Sequence, residues 1–184
     1  MGVYKKGFII YLSGVTSTGK TTIARDIQNV SDEFFYVIGS DILMEMVGEK
    51  YLNENYWKYE SEMFVNMYHI AKLFSDMGKN VIIDSALFET PELPNHYQTV
   101  KGILADCPML MVEVVCPLEI CRKRNLIRGD REEFQSESQD KIMDKTVPYD
   151  FSVRTDIHSS EKCAEMILAK VSGECDSFGN SGEK

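Results

Sequence analysis

The sequence predicts one α/β domain built on a parallel sheet of five strands. Three observations carry this. Five apolar runs of strand length recur along the chain, amphipathic helical patterns lie between them, and a glycine-rich stretch stands between the first run and the first helix. Strand, helix, strand in this order calls for right-handed crossovers and a sheet covered on both faces.

The runs are Phe8–Leu12, Phe34–Ile38, Val81–Ile83, Leu110–Val115 and the weaker Phe151–Val153. They are nearly continuous rather than alternating, as strands buried on both faces are. Thr21–Val30 sets Ile23, Ile27 and Val30 on one helical face. A short helix is expected over Ile42–Val47, opened by Asp41. Glu60–Met77 places Met63, Met67, Ile70, Phe74 and Met77 at helical spacing, with Gly78 as the residue that ends it. Leu118–Ile127 and Ser160–Val171 complete the helices. The domain is expected to span 1–171, and the stretch 172–184 to form a weakly ordered tail with little to bury.

Charge and cysteines narrow the function. The formal net charge is −9 over 184 residues, which argues against a nucleic-acid binder, since such proteins neutralise phosphates with Lys and Arg. No stretch approaches the roughly 20 apolar residues of a membrane helix. The N-terminal MGVYKKGFIIYLSG resembles a signal peptide, yet its apolar run is shorter than the ~7–15 residues of a secretory core and reads as a buried strand. The five cysteines (107, 116, 121, 163 and 175) form no CxxC pair and sit mostly within apolar patterns. They are expected as reduced thiols of a cytoplasmic protein rather than metal ligands.

Gly14-Val15-Thr16-Ser17-Thr18-Gly19-Lys20-Thr21 fits G-x-x-x-x-G-K-[ST], with an apolar strand before it and a helix after it. The glycines let backbone N–H groups turn toward phosphate oxygens, and the helix start adds its positive dipole end. Lys20 is expected on the β- and γ-phosphates of ATP and the Thr21 hydroxyl on Mg²⁺. Gly14, Thr16, Ser17, Thr18, Gly19 and Thr22 complete the candidate nucleotide-binding set. Val81-Ile82-Ile83-Asp84 ends a strand in a carboxylate that either assists Thr21 at Mg²⁺ or caps the next segment. Val37-Ile38-Gly39-Ser40-Asp41 does the same on a second strand. Asp41 is either a base for an incoming hydroxyl or an N-cap.

Residues 122–131 carry five basic side chains and one acidic one within an acidic chain. Arg124, Arg128 and Arg131 fall at i, i+4 and i+7, expected on one helical face. Beside a P-loop they read as a lid, at about 122–136, that neutralises a transferring phosphoryl group; the alternative is a solvated helix face. His69 is expected to be structural or solvent-facing, and His96 lies in an uninformative loop. His158 precedes the last helix, where an adenine could lie. The aromatic stretch Tyr51–Tyr59 is either part of a substrate pocket or ordinary packing.

Taken together, FIIYLSGVTSTGKTT, YVIGSDIL, GKNVIIDSALF, VEVVCPLEICRKRNLIRGDR and VPYDFSVRTDIHSSEKCAEMI resemble, in order and spacing, the chloramphenicol phosphotransferase family of P-loop kinases. The resemblance implies a three-layer, nucleoside-kinase-like fold and transfer of the γ-phosphoryl of ATP to a hydroxyl of a small molecule. It places the catalytic base on Asp41, the lid arginines on Arg128 and Arg131 with Arg124 beside the nucleotide, and the metal-side carboxylate on Asp84. The family's second Asp is Ser85 here, and Met44–Tyr59, which would line the acceptor pocket, matches poorly. Another acceptor, such as the nucleotide sugars of zeta-type toxins, therefore stays open. A nucleotide-dependent switch, although no guanine-reading Asn-Lys-x-Asp is present, and a catalytically idle homologue kept for protein contacts are the remaining alternatives.

Overall fold

The computed structural model describes residues 5–173. Most of the expected tail, and Cys175 with it, lies outside the described residues. The five strands are β1 (Ile9–Ser13), β2 (Phe35–Gly39), β3 (Asn80–Ser85), β4 (Met109–Val115) and β5 (Phe151–Arg154). All neighbours pair in parallel, in the order β2-β3-β1-β4-β5. The helices are α1 (Lys20–Val30), α2 (Ser40–Met44), α3 (Glu49–Asp76), α4 (His96–Ile103), α5 (Leu118–Arg128), α6 (Gln135–Ile142) and α7 (Ser160–Val171).

The continuous apolar runs are explained by the two helix layers. Along β1, Ile10 and Leu12 face α1 and α7, packing with Ile23, Ile27, Cys163 and Ile167. Ile9 and Tyr11 face α3 and α4, packing with Phe64, Met67, Tyr68 and Leu104. Residues 9–12 are fully buried, and each such side chain contributes about 1.5–3 kcal/mol on leaving water. Because alternate residues face opposite layers, β1 carries apolar side chains on both faces up to Ser13, with the Tyr11 hydroxyl as the exception.

Several expectations need correction. The helix expected over Glu60–Met77 begins earlier, at Glu49, and takes in the aromatic stretch 51–59; it is broken once, at Asn55. Its buried stripe is Ser61, Phe64, Met67, Tyr68, Ala71 and Ser75. Met77 lies past the helix end, 59% exposed, with Gly78 at φ 73° closing the turn as expected. The short helix expected over Ile42–Val47 covers Ser40–Met44. Two eight-residue helices went unforeseen. α6 has no apolar stripe and buries only Ser136, while α4 begins in what reads as a loop.

The lid arginines do not share one face. α5 stops at Arg128 because Gly129 turns left-handed (φ 72°), so Arg131 stands in the loop beyond. Gly in the left-handed conformation just past the last turn is a common helix stop.

The core holds one polar relay. Tyr11 Oη and Tyr68 Oη lie 3.0 Å apart, and Tyr68 Oη lies 2.6 Å from His96 Nε2. His96 Nδ1 meets the carbonyl oxygen of Phe88 at 3.1 Å and its N–H at 3.2 Å. Either neutral tautomer therefore finds partners for both ring nitrogens. His96, left undecided by the sequence, is a fully buried core residue, and burial pulls its pKa down to about 4. His69 is exposed on α3.

Candidate active site

Open parallel sheets collect ligands at the carboxyl ends of their strands, and here the ends of β1, β2 and β3 meet. Asp84 of β3 sits in register between Leu12 of β1 and Gly39 of β2. A cavity of about 770 Å³ runs along this edge. Gly14, Thr16, Ser17, Gly19, Lys20, Thr21 and Thr22 line one side of it, and Asp41, Asp84, Arg124, Arg128 and Arg131 line it too.

The loop after β1 is shaped by two glycines. A Cβ on Gly14 would come within 2.6 Å of the Val114 carbonyl oxygen, so only glycine lets the loop leave the sheet there. Gly19 has φ 104°, open to glycine alone at low cost. α1 then starts at Lys20 with no side-chain cap and no acidic residue in its first turn. Its first N–H groups are left for an anion, as a phosphate-binding helix start requires. Ser17 Oγ, buried in the loop at φ 60°, has no hydrogen-bond partner. A phosphate oxygen would satisfy it, so the loop fits a triphosphate.

Thr18 departs from the motif-based expectation. Its side chain does not line the cavity; Oγ1 donates to the Val15 carbonyl at 2.9 Å and closes the loop from within. Arg124 is likewise committed to bracing. Its guanidinium donates to the carbonyls of Ser17 and Thr18, and to both the hydroxyl and carbonyl of Thr155 at 3.0 Å. Thr16 is held at both ends by α6. Its N–H donates to Gln139 Oε1 at 2.6 Å, and its carbonyl accepts from Ser136 Oγ at 3.2 Å.

Lys20 Nζ donates to the carbonyls of Gly14 and Val15 at 2.8 and 3.0 Å. Burial pushes its pKa down, while the charges of Asp84 and Asp41 oppose that shift. Thr21 Oγ1 donates to Asp84 Oδ2 at 2.6 Å. A hydroxyl and a carboxylate side by side at the mouth of a phosphate loop are hard oxygen donors of the kind magnesium prefers, so these residues fit that ion. Asp84 thus binds back to α1 rather than capping the segment after β3.

Asp41, in the first turn of α2, makes no N-cap bond; Arg131 Nη2 donates to its Oδ2 at 2.5 Å. Arg131 Nε is buried and unpartnered, leaving a second donor direction on the same guanidinium. Arg128 is paired with Asp130 inside the lid segment, Nε to Oδ1 at 3.1 Å. His158 and Ser159 also line the cavity, with Ser159 capping α7 by accepting from Lys162 N–H.

Of one wall the sequence announces only Tyr56, within the stretch 51–59 that reads as pocket or packing, and gives no sign of Glu60 or Phe64. Tyr56, Glu60 and Phe64 stand at i, i+4 and i+8 on α3 and line the cavity with Phe88. Tyr56 Oη donates to Glu60 Oε1 at 3.1 Å, and Glu60 Oε2 is buried without a partner. Burial, with Asp41 adding repulsion, lifts the Glu60 carboxyl to about 7. Of the aromatic stretch 51–59, Tyr56 alone lines the cavity; Trp57 stacks edge-on to it from outside.

Among the described residues no helix is long and apolar enough to cross a membrane, and no cluster of three metal-ligating His, Cys, Asp or Glu side chains occurs. Cys116, Cys121 and Cys163 are buried free thiols and Cys107 is a half-buried one.

Comparison with known proteins agrees with this geometry. A family model described as chloramphenicol phosphotransferase-like protein matches residues 7–172. A probable adenylyl-sulfate kinase of Halalkalibacterium halodurans is 29% identical over 125 residues, covering 65% of this chain and 58% of that protein. The chain thus spans less than two thirds of that relative's length. An adenylyl-sulfate kinase of Clostridium acetobutylicum is 26% identical over 175 residues, covering 89% and 82%. Among solved structures, the APS kinase of Mycobacterium tuberculosis in complex with AMPPNP and APS superposes with TM-score 0.66 at 18% identity, over 91% and 98% of the two chains. Shikimate kinase from Acinetobacter baumannii in complex with shikimate gives 0.62 at 15%, over 94% and 97%. The three-layer α/β fold is the one these P-loop kinases share.

Proposed function

Because the chain belongs to the chloramphenicol phosphotransferase-like family of P-loop phosphotransferases, we propose that it moves the γ-phosphoryl group of ATP to a hydroxyl of a small molecule. The observation that carries this reading is the Arg131–Asp41 pair, which sets a carboxylate and a lid cation at one end of a phosphate loop. A switch protein needs no such pair.

Phosphoryl transfer is governed by positioning and charge stabilisation more than by covalent help from the protein. Backbone N–H groups from Gly19 onward and the Ser17 hydroxyl hold the phosphates. Lys20 turns its ammonium from the Gly14 and Val15 carbonyls to the β- and γ-phosphoryl oxygens. Thr21 and Asp84 would hold magnesium, which neutralises charge on those oxygens when bound. Asp41 orients the acceptor hydroxyl and takes its proton. As the acceptor oxygen bonds to the γ-phosphorus, the bond from phosphorus to the β–γ bridging oxygen breaks, and ADP leaves. Arg131 neutralises the equatorial oxygens, and Arg128 closes the lid above them. Gln139, Ser136 and Arg124 keep the loop in shape.

A second reading follows from the relatives: an anionic acceptor, adenylyl sulfate, as in the kinases this chain resembles. One experiment tests the proposal. ADP release is followed in an acceptor panel of chloramphenicol, nucleosides, nucleotide sugars, an aminoglycoside and adenylyl sulfate. Acceptor-dependent ADP release with a phosphorylated product supports transfer to a hydroxyl. Release independent of every acceptor, with water as the only sink, overturns it.

A further inference from the structure

The acceptor end of the cavity differs in chemistry from the phosphate end. The cations that line the cavity, Lys20, Arg124, Arg128 and Arg131, all come from the phosphate loop or the α5–α6 segment. Each already has acceptors: loop carbonyls for Lys20 and Arg124, Asp130 for Arg128, Asp41 for Arg131. α3 contributes Tyr56, Glu60 and Phe64, and the segment after β3 contributes Ala86 and Phe88. Neither contributes a lysine or arginine to the lining. The groups on that wall are one carboxyl, one phenol and apolar surface.

Glu60 is the unexplained member. A carboxyl on an apolar wall costs free energy unless its oxygens find donors. Tyr56 supplies one, and Oε2 has none. Helix spacing puts Glu60 one turn from Tyr56 and one turn from Phe64, so all three face the same space. Asp41 stands close enough for its charge to act on both Glu60 and Tyr56.

We infer that Glu60 is a specificity residue of the acceptor subsite, where its unpartnered oxygen takes a hydrogen bond from an N–H or O–H of a neutral or cationic hydroxyl compound, and that the subsite disfavours anionic acceptors. The inference rests on the kinase reading above. An acceptor carrying sulfate, phosphate or carboxylate would bring a negative charge to a wall that already holds Glu60 beside Asp41 and contributes no lysine or arginine of its own. A donor on the acceptor instead removes the one unsatisfied contact of the wall. Tyr56 on α3 and Asp41 on α2 are the titratable groups that act on Glu60, and Arg131 on the loop after α5 acts on Tyr56. The raised Glu60 carboxyl is half ionised near neutral pH, so affinity for a donor tightens as pH rises through about 7.

The test is a binding titration of the full chain, loaded with a non-hydrolysable ATP analogue, against chloramphenicol, an aminoglycoside, shikimate and adenylyl sulfate. ADP release with ATP is measured on the same panel. The expected result is binding of the neutral or cationic members, weakened about tenfold or more in Glu60→Leu. Wild-type affinity should also rise between pH 6 and 8, and that dependence should vanish in Glu60→Gln. A preference for shikimate or adenylyl sulfate, affinity unchanged in Glu60→Leu, or no Glu60-dependent binding by any member overturns the inference. Transfer to an anionic acceptor would sink this inference and keep the kinase reading. Glu60-dependent binding without transfer would do the reverse.

Discussion

Arg131 and Asp41 lie 90 residues apart in sequence, yet Arg131 Nη2 sits 2.5 Å from Asp41 Oδ2. The contact ties the loop after α5 to the first turn of α2 on the lining of the cavity. The Asp41 side chain is 75% exposed, so the pair lies in high dielectric and adds at most ~1 kcal/mol to stability. Its placement is therefore better explained by chemistry than by folding. Arg131→Ala is expected to leave the unfolding free energy within about 1 kcal/mol of wild type while lowering kcat about 10²-fold or more. Arg131→Lys should recover little, because a single ammonium nitrogen lacks the planar fork by which the guanidinium holds Asp41 through Nη2 and points Nε in a second direction. Chemical unfolding and steady-state kinetics on the same preparations decide it; equal losses of stability and turnover would make the pair structural.

Asp41→Asn removes the proposed base and keeps the shape. ATP affinity, measured calorimetrically, should change less than about threefold, and acceptor phosphorylation should fall roughly 10²–10⁴-fold. Full turnover in that variant with the acceptor found by the panel would take the proton-accepting role away from Asp41.

Gln139 reaches from α6 to the N–H of Thr16, and Ser136 holds the carbonyl of the same residue. This two-point hold couples the segment after the lid to the loop that cradles phosphate. In Gln139→Ala the Thr16 N–H loses its acceptor. A weaker loop should appear as a several-fold rise in the KM for ATP with kcat little changed, the pattern of lost uniform binding. A fall in kcat at constant KM would instead tie Gln139 to the transfer step.

These residues divide by how local their signals are. The P-loop, Asp84 and Asp41 are each set by a strand end and a short turn, so spacing along the chain suffices to place them. Arg131 is legible by type but not by place, because its i+7 spacing from Arg124 suggests one helical face while Gly129 stops α5 before it. Glu60 looked like the polar start of an apolar helix. Only the path of α3, broken once at Asn55, brings it to the cavity that the phosphate loop also lines. Gln139 lies in a polar eight-residue helix with no periodicity to announce it, so its contact with a residue 123 positions earlier is purely tertiary. The shared strand runs were readable throughout because both faces of the sheet are buried.

Glu60 and His96 give the fold two opposing pH dependences. His96 has its pKa lowered to about 4, so the unfolded chain binds more protons between there and 6.5. Its contribution is fully present above pH 6.5 and is lost as pH falls toward 4, at most about 3 kcal/mol at ~1.4 kcal/mol per pKa unit. Glu60 has its pKa raised to about 7 from 4.5, so the sign reverses. Its contribution is present below 4.5 and is lost as pH climbs through 7, again at most about 3 kcal/mol. Between pH 4.5 and 6.5 the two slopes oppose each other, and the wild-type stability should vary little. Glu60→Gln removes the falling arm: at pH 8 it should be more stable than wild type by up to about 3 kcal/mol, with the advantage gone at pH 4.5. His96→Gln removes the rising arm, so wild type and variant should converge as pH drops from 7 to 4.5. Urea unfolding at pH 4.5, 6 and 8 measures both. Glu60→Gln stability that tracks wild type at every pH would mean that the carboxyl is not held out of water on the acceptor wall.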